Sequence, residues 1–313
     1  MPALPAPSSK RFTHFAWAVL AFNLLVVLWG AYVRATGSGA GCGNRWPLCN
    51  GVVGPRSASA ATLIEFTHRV TSGLDLLLVA LLVFWAYRAF PKGHAARLGS
   101  ALSGAFLVTE ALIGAALVVL DHVAGNTSQY RAISLSIHLL NTLTLLACLA
   151  LTAVWSAGTR VAKPRGREAR LAYATAGAFM LLGITGAIAA LGDTLFPVHS
   201  LGEGLALDFA ASSNIFLRLR LWHPLAAALV GLWIAGYSVF AVTRRRDAQL
   251  ISGVVMLLVG LQLACGMANL FLLAPVPLQL FHLLVGDLLW IALVLLCARM
   301  AATPNSALPR RVS

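Results

Sequence analysis

Eight apolar stretches, near residues 14–35, 61–88, 98–120, 131–156, 169–191, 216–242, 248–273 and 277–300, restrict this chain more than any other feature. Each is long enough to cross about 30 Å of hydrocarbon as a helix, which takes about 20 residues. With 59% hydrophobic residues, 11% charged and a mean hydropathy of +0.83, the chain is far too apolar for a soluble domain. It reads as an all-α integral membrane protein with eight transmembrane helices. The first run, Phe15 to Val33, is longer than the core of a signal peptide, so it is expected to stay as an uncleaved span.

A net charge of +13 would suit a nucleic-acid partner, but the basic residues sit in short clusters between apolar runs, where they act as topology signals. No nucleic acid is expected; the lipid bilayer is the partner. Lys10 and Arg11, Arg88 to Arg97, Arg160 to Arg170, Arg244 to Arg246, Arg299, Arg310 and Arg311 fall on one side, sixteen of the twenty-three Lys and Arg. The positive-inside rule makes that side and both termini cytoplasmic, and turns the loops around 36–60, 121–130, 192–215 and 274–276 outward.

The chain also repeats itself. Spans 2 and 6 carry a histidine near the outer end, His68 and His223, and spans 4 and 8 do the same with His138 and His282. An even number of spans per repeat makes the halves parallel repeats, and two four-helix bundles side by side are expected. Residues 1–157 form the first, 158–167 a cytoplasmic linker rich in Gly, Pro and charge, and 168–313 the second. Met1 to Ser9 and Ala302 to Ser313 read as tails.

All four histidines lie within the first two or so turns of helices entering from outside, and equal depth is what a bundle ligand pair requires. Two helices that each turn an imidazole toward the bundle axis can hold one iron of a planar macrocycle between apolar walls. One site per half is expected. A single histidine on a buried face would as readily bond to a neighbour; four in register favour ligation. Zinc suits these pairs poorly, because they lack further Cys or carboxylate ligands. With no Cys-x-x-Cys-His, any heme is held without covalent attachment. His14, His94, His122 and His199 fall outside the pattern and read as solvated or interfacial.

Ionisable groups in hydrocarbon cost about 2.5–3.5 kcal/mol each, so Glu65 and His68, three residues apart on one helix face, call for a use. Span 6 keeps the histidine but has Arg220 where Glu65 would align. Asp75 lies seven residues after His68 on the same stripe, Asp287 five after His282, and Glu110 and Gln262 occupy similar places in spans 3 and 7; none has an assigned role. The Gly-rich outer loop carries Cys42 and Cys49, for which a disulfide is the default on the oxidising side, structural or redox-active. Cys148, Cys265 and Cys297 lie in apolar spans and read as small core residues. Arg34, Arg69, Arg131, Arg218 and Arg220 sit near the outer interface against the charge trend. They are candidate contacts for heme propionates, with lipid phosphate the competing partner.

Gly30-Ala31-Tyr32-Val33-Arg34 with Thr36-Gly37-Ser38-Gly39, the Cys42…Trp46-Pro47-Leu48-Cys49 loop, Ile64-Glu65-x-x-His68-Arg69, His138, His223-Pro224, and Gln262 through Asn269 come in a specific order. Over about residues 13 to 300 this chain resembles the heme A synthase family, membrane enzymes that convert heme O to heme A for terminal oxidases. The resemblance implies oxidation of a ring methyl of heme O to a formyl group through hydroxylated intermediates. It implies that His68 and His138 flank the substrate heme O and that His223 and His282 ligate a resident heme b, with iron the metal at both pairs. Glu65 matches the family's catalytic carboxylate, and Cys42 with Cys49 its outer-loop pair. The partners implied are heme O, an electron donor the sequence does not identify, and a heme O synthase; the location is the plasma membrane. Arg45 and Glu110 depart from the family pattern, Glu110 standing where a Gln is usual. A two-heme b-type electron-transfer cytochrome would use the same four ligands without needing Glu65 or the Cys loop. A heme carrier would need ligands spread across the membrane, whereas these share one depth.

Overall fold

The structure, a computed structural model, describes residues 7–55, 59–159, 166–210 and 215–301. The expected tails, apart from residues 7–9, and residues 160–165 of the expected linker lie outside the described residues. The helices are α1 (Pro7–Ala35), α2 (Ala60–Ala89), α3 (Ala95–Val119), α4 (Gln129–Ser156), α5 (Gly166–Leu195), α6 (Leu201–Phe209), α7 (Ile215–Arg244), α8 (Gln249–Phe271) and α9 (Val276–Ala301). Eight of them, all but α6, are long and apolar enough to cross a membrane, as the sequence predicts. Among the described residues the extended structure is a single bridge between Cys49 and Val52.

Side-chain caps set several starts. The hydroxyls of Ser59, Ser128 and Ser200 accept from the N–H groups of Thr62, Arg131 and Glu203, and His94 Nδ1 accepts from Ala96. Helix α6 is absent from the sequence reading, which treats 192–215 as loop. Its nine residues are too few to span, but its signal was present. Ser200-Leu201-Gly202-Glu203 is a capping box in which Glu203 Oε2 reaches back to the N–H of His199 at 2.7 Å.

Helix α1 packs against α2 and α4, and α3 against α2 and α4; likewise α5 packs against α7 and α9, and α8 against α7 and α9. The two sets join through α4, which touches α5 and α9, and through α1 on α9. Helices α4 and α9 are accordingly the most enclosed spans, burying Leu145, Leu146, Leu149, Trp290, Leu293 and Leu296. Trp290 donates Nε1–H to the Leu143 carbonyl at 2.6 Å and stacks on Phe179 of α5 at 5.3 Å, tying three helices at one point. Lipid tails are as apolar as leucine, so close fit rather than water exclusion holds such spans together. Gly99 shows how close: a Cβ there would collide with Thr152 and Trp155 of α4.

Candidate functional site

The four histidines start from the end of the molecule that carries the Cys42–Cys49 loop. His68, His138, His223 and His282 lie about 9–14 Å along their helices from the first residue, at 1.5 Å per residue. His68 and His138 come within electrostatic reach of each other, and so do His223 and His282. Each imidazole meets a glycine of the preceding long helix. An added Cβ would stand 2.9 Å from His68 Cε1 at Gly30, 3.0 Å from His223 Cε1 at Gly186, 3.3 Å from His282 Cε1 at Gly266 and 3.9 Å from His138 Cε1 at Gly114. At Gly30, Gly186 and Gly266 a side chain would crowd the ring, whereas at Gly114 a Cβ would make only ordinary contact. The sequence reading gives these glycines no role, although Gly30 and Gly186 precede their histidines by nearly the same distance, 38 and 37 residues.

The two pairs differ in what surrounds them. Glu110 Oε1 lies 3.5 Å from His138 Nδ1. Its carboxylate also accepts from Asn141 Nδ2 at 2.5 Å and from the Thr142 hydroxyl, while Thr109 donates to Asn141 at 2.6 Å. In the other pair an amide stands in the matching place, Gln262 Nε2 lying 3.3 Å from His282 Nε2. His223 Nδ1 is 2.9 Å from the Thr185 hydroxyl. The Nδ1 atoms of His68, His138 and His282 are buried without a hydrogen-bond partner.

Glu65 turns away from a free role beside His68. It is 3% exposed; Oε2 accepts from the Cys42 N–H at 2.8 Å, and Oε1 from Arg69 Nη2 at 2.5 Å and Nε at 3.1 Å. Arg69 continues to the Leu48 carbonyl at 2.8 Å and the Gly43 carbonyl at 3.4 Å, the two neighbours of the cysteines inside the loop. Cys42 and Cys49 form a disulfide, Cα to Cα 4.3 Å, and both are buried. Thr62 donates to the Gly41 carbonyl at 2.8 Å, and a Cβ on Gly41 would stand 2.5 Å from the Ala61 backbone. The loop is thus pressed onto the first turns of α2 and clamped there by the Glu65–Arg69 pair, on the turn that carries His68.

The donor set fits a planar macrocycle. Two imidazoles per site in electrostatic reach of each other, each seated against a glycine of the neighbouring helix, and buried ring nitrogens without a partner are compatible with such a group. Among the described residues no group of three or more His, Cys, Asp or Glu is placed to hold a metal ion. Residues 13–294 match COX15-CtaA, the cytochrome oxidase assembly protein family. The chain belongs to this family. A heme A synthase of Bacillus cereus is 30% identical over 284 residues, covering 87% of this chain and 88% of the relative, and one of Bacillus anthracis matches to the same extent. A protoheme IX farnesyltransferase of Thermus thermophilus is 47% identical over 297 residues, 94% of this chain but 49% of that protein. The chain spans about half the length of the Thermus relatives.

For this family member the outer arginines have protein partners. Arg34 of α1 donates Nη1–H to the Ala190 carbonyl and the Thr194 hydroxyl of α5, each at 2.8 Å, and Nη2–H to Gln279 of α9 at 3.2 Å. It therefore stitches the two helix sets together at the Cys-loop end. Arg131 is 3% exposed and donates to the Ala124 and Asn126 carbonyls, closing the α3–α4 loop. Arg218 is exposed. Arg220 pairs with Asp193 at 2.9 Å and with Asp208 of α6 at 2.6 Å, which fastens α6 over α5 and α7. Replacing Arg220 by methionine leaves two carboxylates without their cation. Asp208 is 7% and Asp193 30% exposed, so the loss is expected near the lower end of the about 3–5 kcal/mol for a broken buried pair. Thermal unfolding in detergent checks it; an unchanged midpoint would mean that the pair holds nothing.

Of the remaining histidines, His14 is exposed, His94 caps α3, His122 Nδ1 is 2.9 Å from Ser134, and His199 meets Glu203 through its backbone. Cys265 is buried, and Cys148 and Cys297 are partly buried.

Proposed function

We propose that this chain is a heme A synthase, an oxidoreductase of the cell membrane that oxidises a ring methyl of heme O to the formyl group of heme A. Its kinship with proteins named heme A synthase over nearly their whole length supports the reading. The name protoheme IX farnesyltransferase belongs to proteins of about twice the length, so prenyl transfer is not carried over to this chain.

The observation that carries the assignment is the asymmetry between the two histidine pairs. Oxidising a methyl to a formyl carbon draws off protons and electrons, so the reacting site needs groups that exchange protons. Glu65 and Asp75 on α2 and Glu110 on α3 belong to the helix set of the His68–His138 pair, Glu110 touching His138 itself, whereas the helix of His282 carries one buried acid, Asp287. At the same spacing from His223 and Gly266 stand Arg220, Val230 and Gln262. The substrate heme O then belongs between His68 and His138, and a resident heme b between His223 and His282. Bound there, heme b would exchange single electrons between the substrate site and a redox partner. The protein's part is to orient the rings: Thr185 holds His223 by its Nδ1, Glu110 lies beside His138 Nδ1, and the glycines make room for the imidazoles. Both termini are cytoplasmic by the distribution of Lys and Arg, which puts the clamped disulfide loop and both sites toward the outer leaflet. A farnesylated substrate dissolves in lipid and enters sideways from there.

Co-expression with a source of heme O, followed by mass analysis of extracted hemes, tests the reading. Hydroxylated and formyl hemes are expected. Their absence from folded, heme-loaded protein would leave the b-type cytochrome, which uses the same ligands and no substrate.

A further inference from the structure

Two turns along α2 from His68, Asp75 is completely buried. Its partner is Asn23 of α1, 2% exposed, whose Nδ2–H donates to Asp75 Oδ2 at 2.5 Å. The oxygens left over on this bonded pair, Asp75 Oδ1 and Asn23 Oδ1, are both buried and both without a partner. Among the described residues no Lys, Arg or His pairs with Asp75. From the helices packed on α2, α1 offers Asn23, and Glu110 of α3 acts on Asp75 with charge of the same sign.

As a carboxylate, Asp75 would keep a full charge inside an apolar helix contact on one hydrogen bond, next to a second acceptor that also lacks a donor. Each is costly in such surroundings. One proton removes both faults, since a carboxylic acid donates where a carboxylate can only accept. We propose that Asp75 and Asn23 form a proton-binding site in which Asp75 Oδ1 carries the proton and Asn23 Oδ1 accepts it, and that this pair serves as proton store for the His68–His138 site. The store balances simply: the acid gives up one proton and becomes a carboxylate, and takes it back when the site releases one. The other half has no acid–amide pair at the matching positions, although α9 buries an acid of its own, Asp287, five residues after His282 and with Oδ2 unpartnered. Val230 stands seven residues after His223, and Phe179 seven before Gly186, where Asp75 and Asn23 stand relative to His68 and Gly30.

Protonation follows from the geometry alone, whereas the role as a store rests on the function proposed above; the two are tested apart. Infrared spectra of the purified full-length protein, in water and in deuterated water, are compared with those of Asp75→Asn. The asparagine keeps size and amide pairing, and circular dichroism confirms the fold. A protonated-carboxyl stretch at neutral pH that shifts on deuteration and is missing from the variant is expected. Spectra that coincide in the protonated-carboxyl region would mean that Asp75 is ionised and would overturn the proposal. For the role, Asp75→Asn is expected to retain heme but turn heme O over more slowly by about a hundredfold, the lower range of a lost acid–base group. Full turnover with the band gone would remove the store and leave the protonated pair; no product from the unaltered protein would instead fail the enzyme reading.

Discussion

Alanine in place of His223 is expected to abolish the low-spin heme spectrum of the purified protein, and His282→Ala to do the same. In the proposed assignment these two imidazoles, from α7 and α9, would together hold the heme iron, so the loss of either removes a ligand. Neither has a substitute: Gln262 and Thr185, the polar neighbours, are poor iron ligands. Thr185→Val keeps the ligand but removes its orienting partner, and a loss of about 10- to 100-fold in heme affinity is expected. Absorption spectra and heme content per chain measure all three variants, with the Cys42–Cys49 disulfide as evidence of folding. A low-spin spectrum unchanged in His223→Ala or His282→Ala would refute the resident-heme assignment.

Glu65→Ala is the second large effect, and the structure changes what it should do. From the sequence, Glu65 is a carboxylate beside a ligand, and its loss stops product formation while heme b stays. In the fold it is also the clamp of the disulfide loop. Without it, Arg69 and the Cys42 N–H lose their partner in a pair whose side chains are 11% and 4% exposed. Breaking such a pair costs about 3–5 kcal/mol. Two outcomes are therefore expected together: no formyl heme, and reduction of Cys42–Cys49 by a water-soluble reductant faster by at least about tenfold. Glu65→Gln separates them, because an amide oxygen still accepts from the Cys42 N–H while the charge on Arg69 goes unanswered. A variant with full turnover would show that Glu65 serves the loop alone; unaltered reduction kinetics would show that the loop is held by Thr62 and Gly41.

Much of this was readable in advance. The eight spans follow from apolar length, because a bilayer demands that each crossing segment satisfy its own backbone. The depth of His68, His138, His223 and His282 follows from their place near the start of alternate spans. Cys42 and Cys49 pair as their loop suggests. The cap of α6, Ser200 with Glu203, is likewise a local signal, though nine residues are too few to register as an apolar span.

Other features have no trace in local sequence. That Glu65 reaches Cys42 of the loop, that Arg34 crosses from α1 to α5 and α9, and that Asp75 meets Asn23 all depend on which segment lies beside which. Residues 52, 156 and 245 positions apart become neighbours only after packing. The sequence by itself determined a bundle of membrane helices with four ligand-grade histidines at one depth, because length and period are properties of a single helix. Tertiary structure alone decided which carboxylates are clamped, which are backed by an imidazole and which are left without a cation. Charge in a low-dielectric interior is governed by neighbours within a few ångströms, and packing chooses those neighbours.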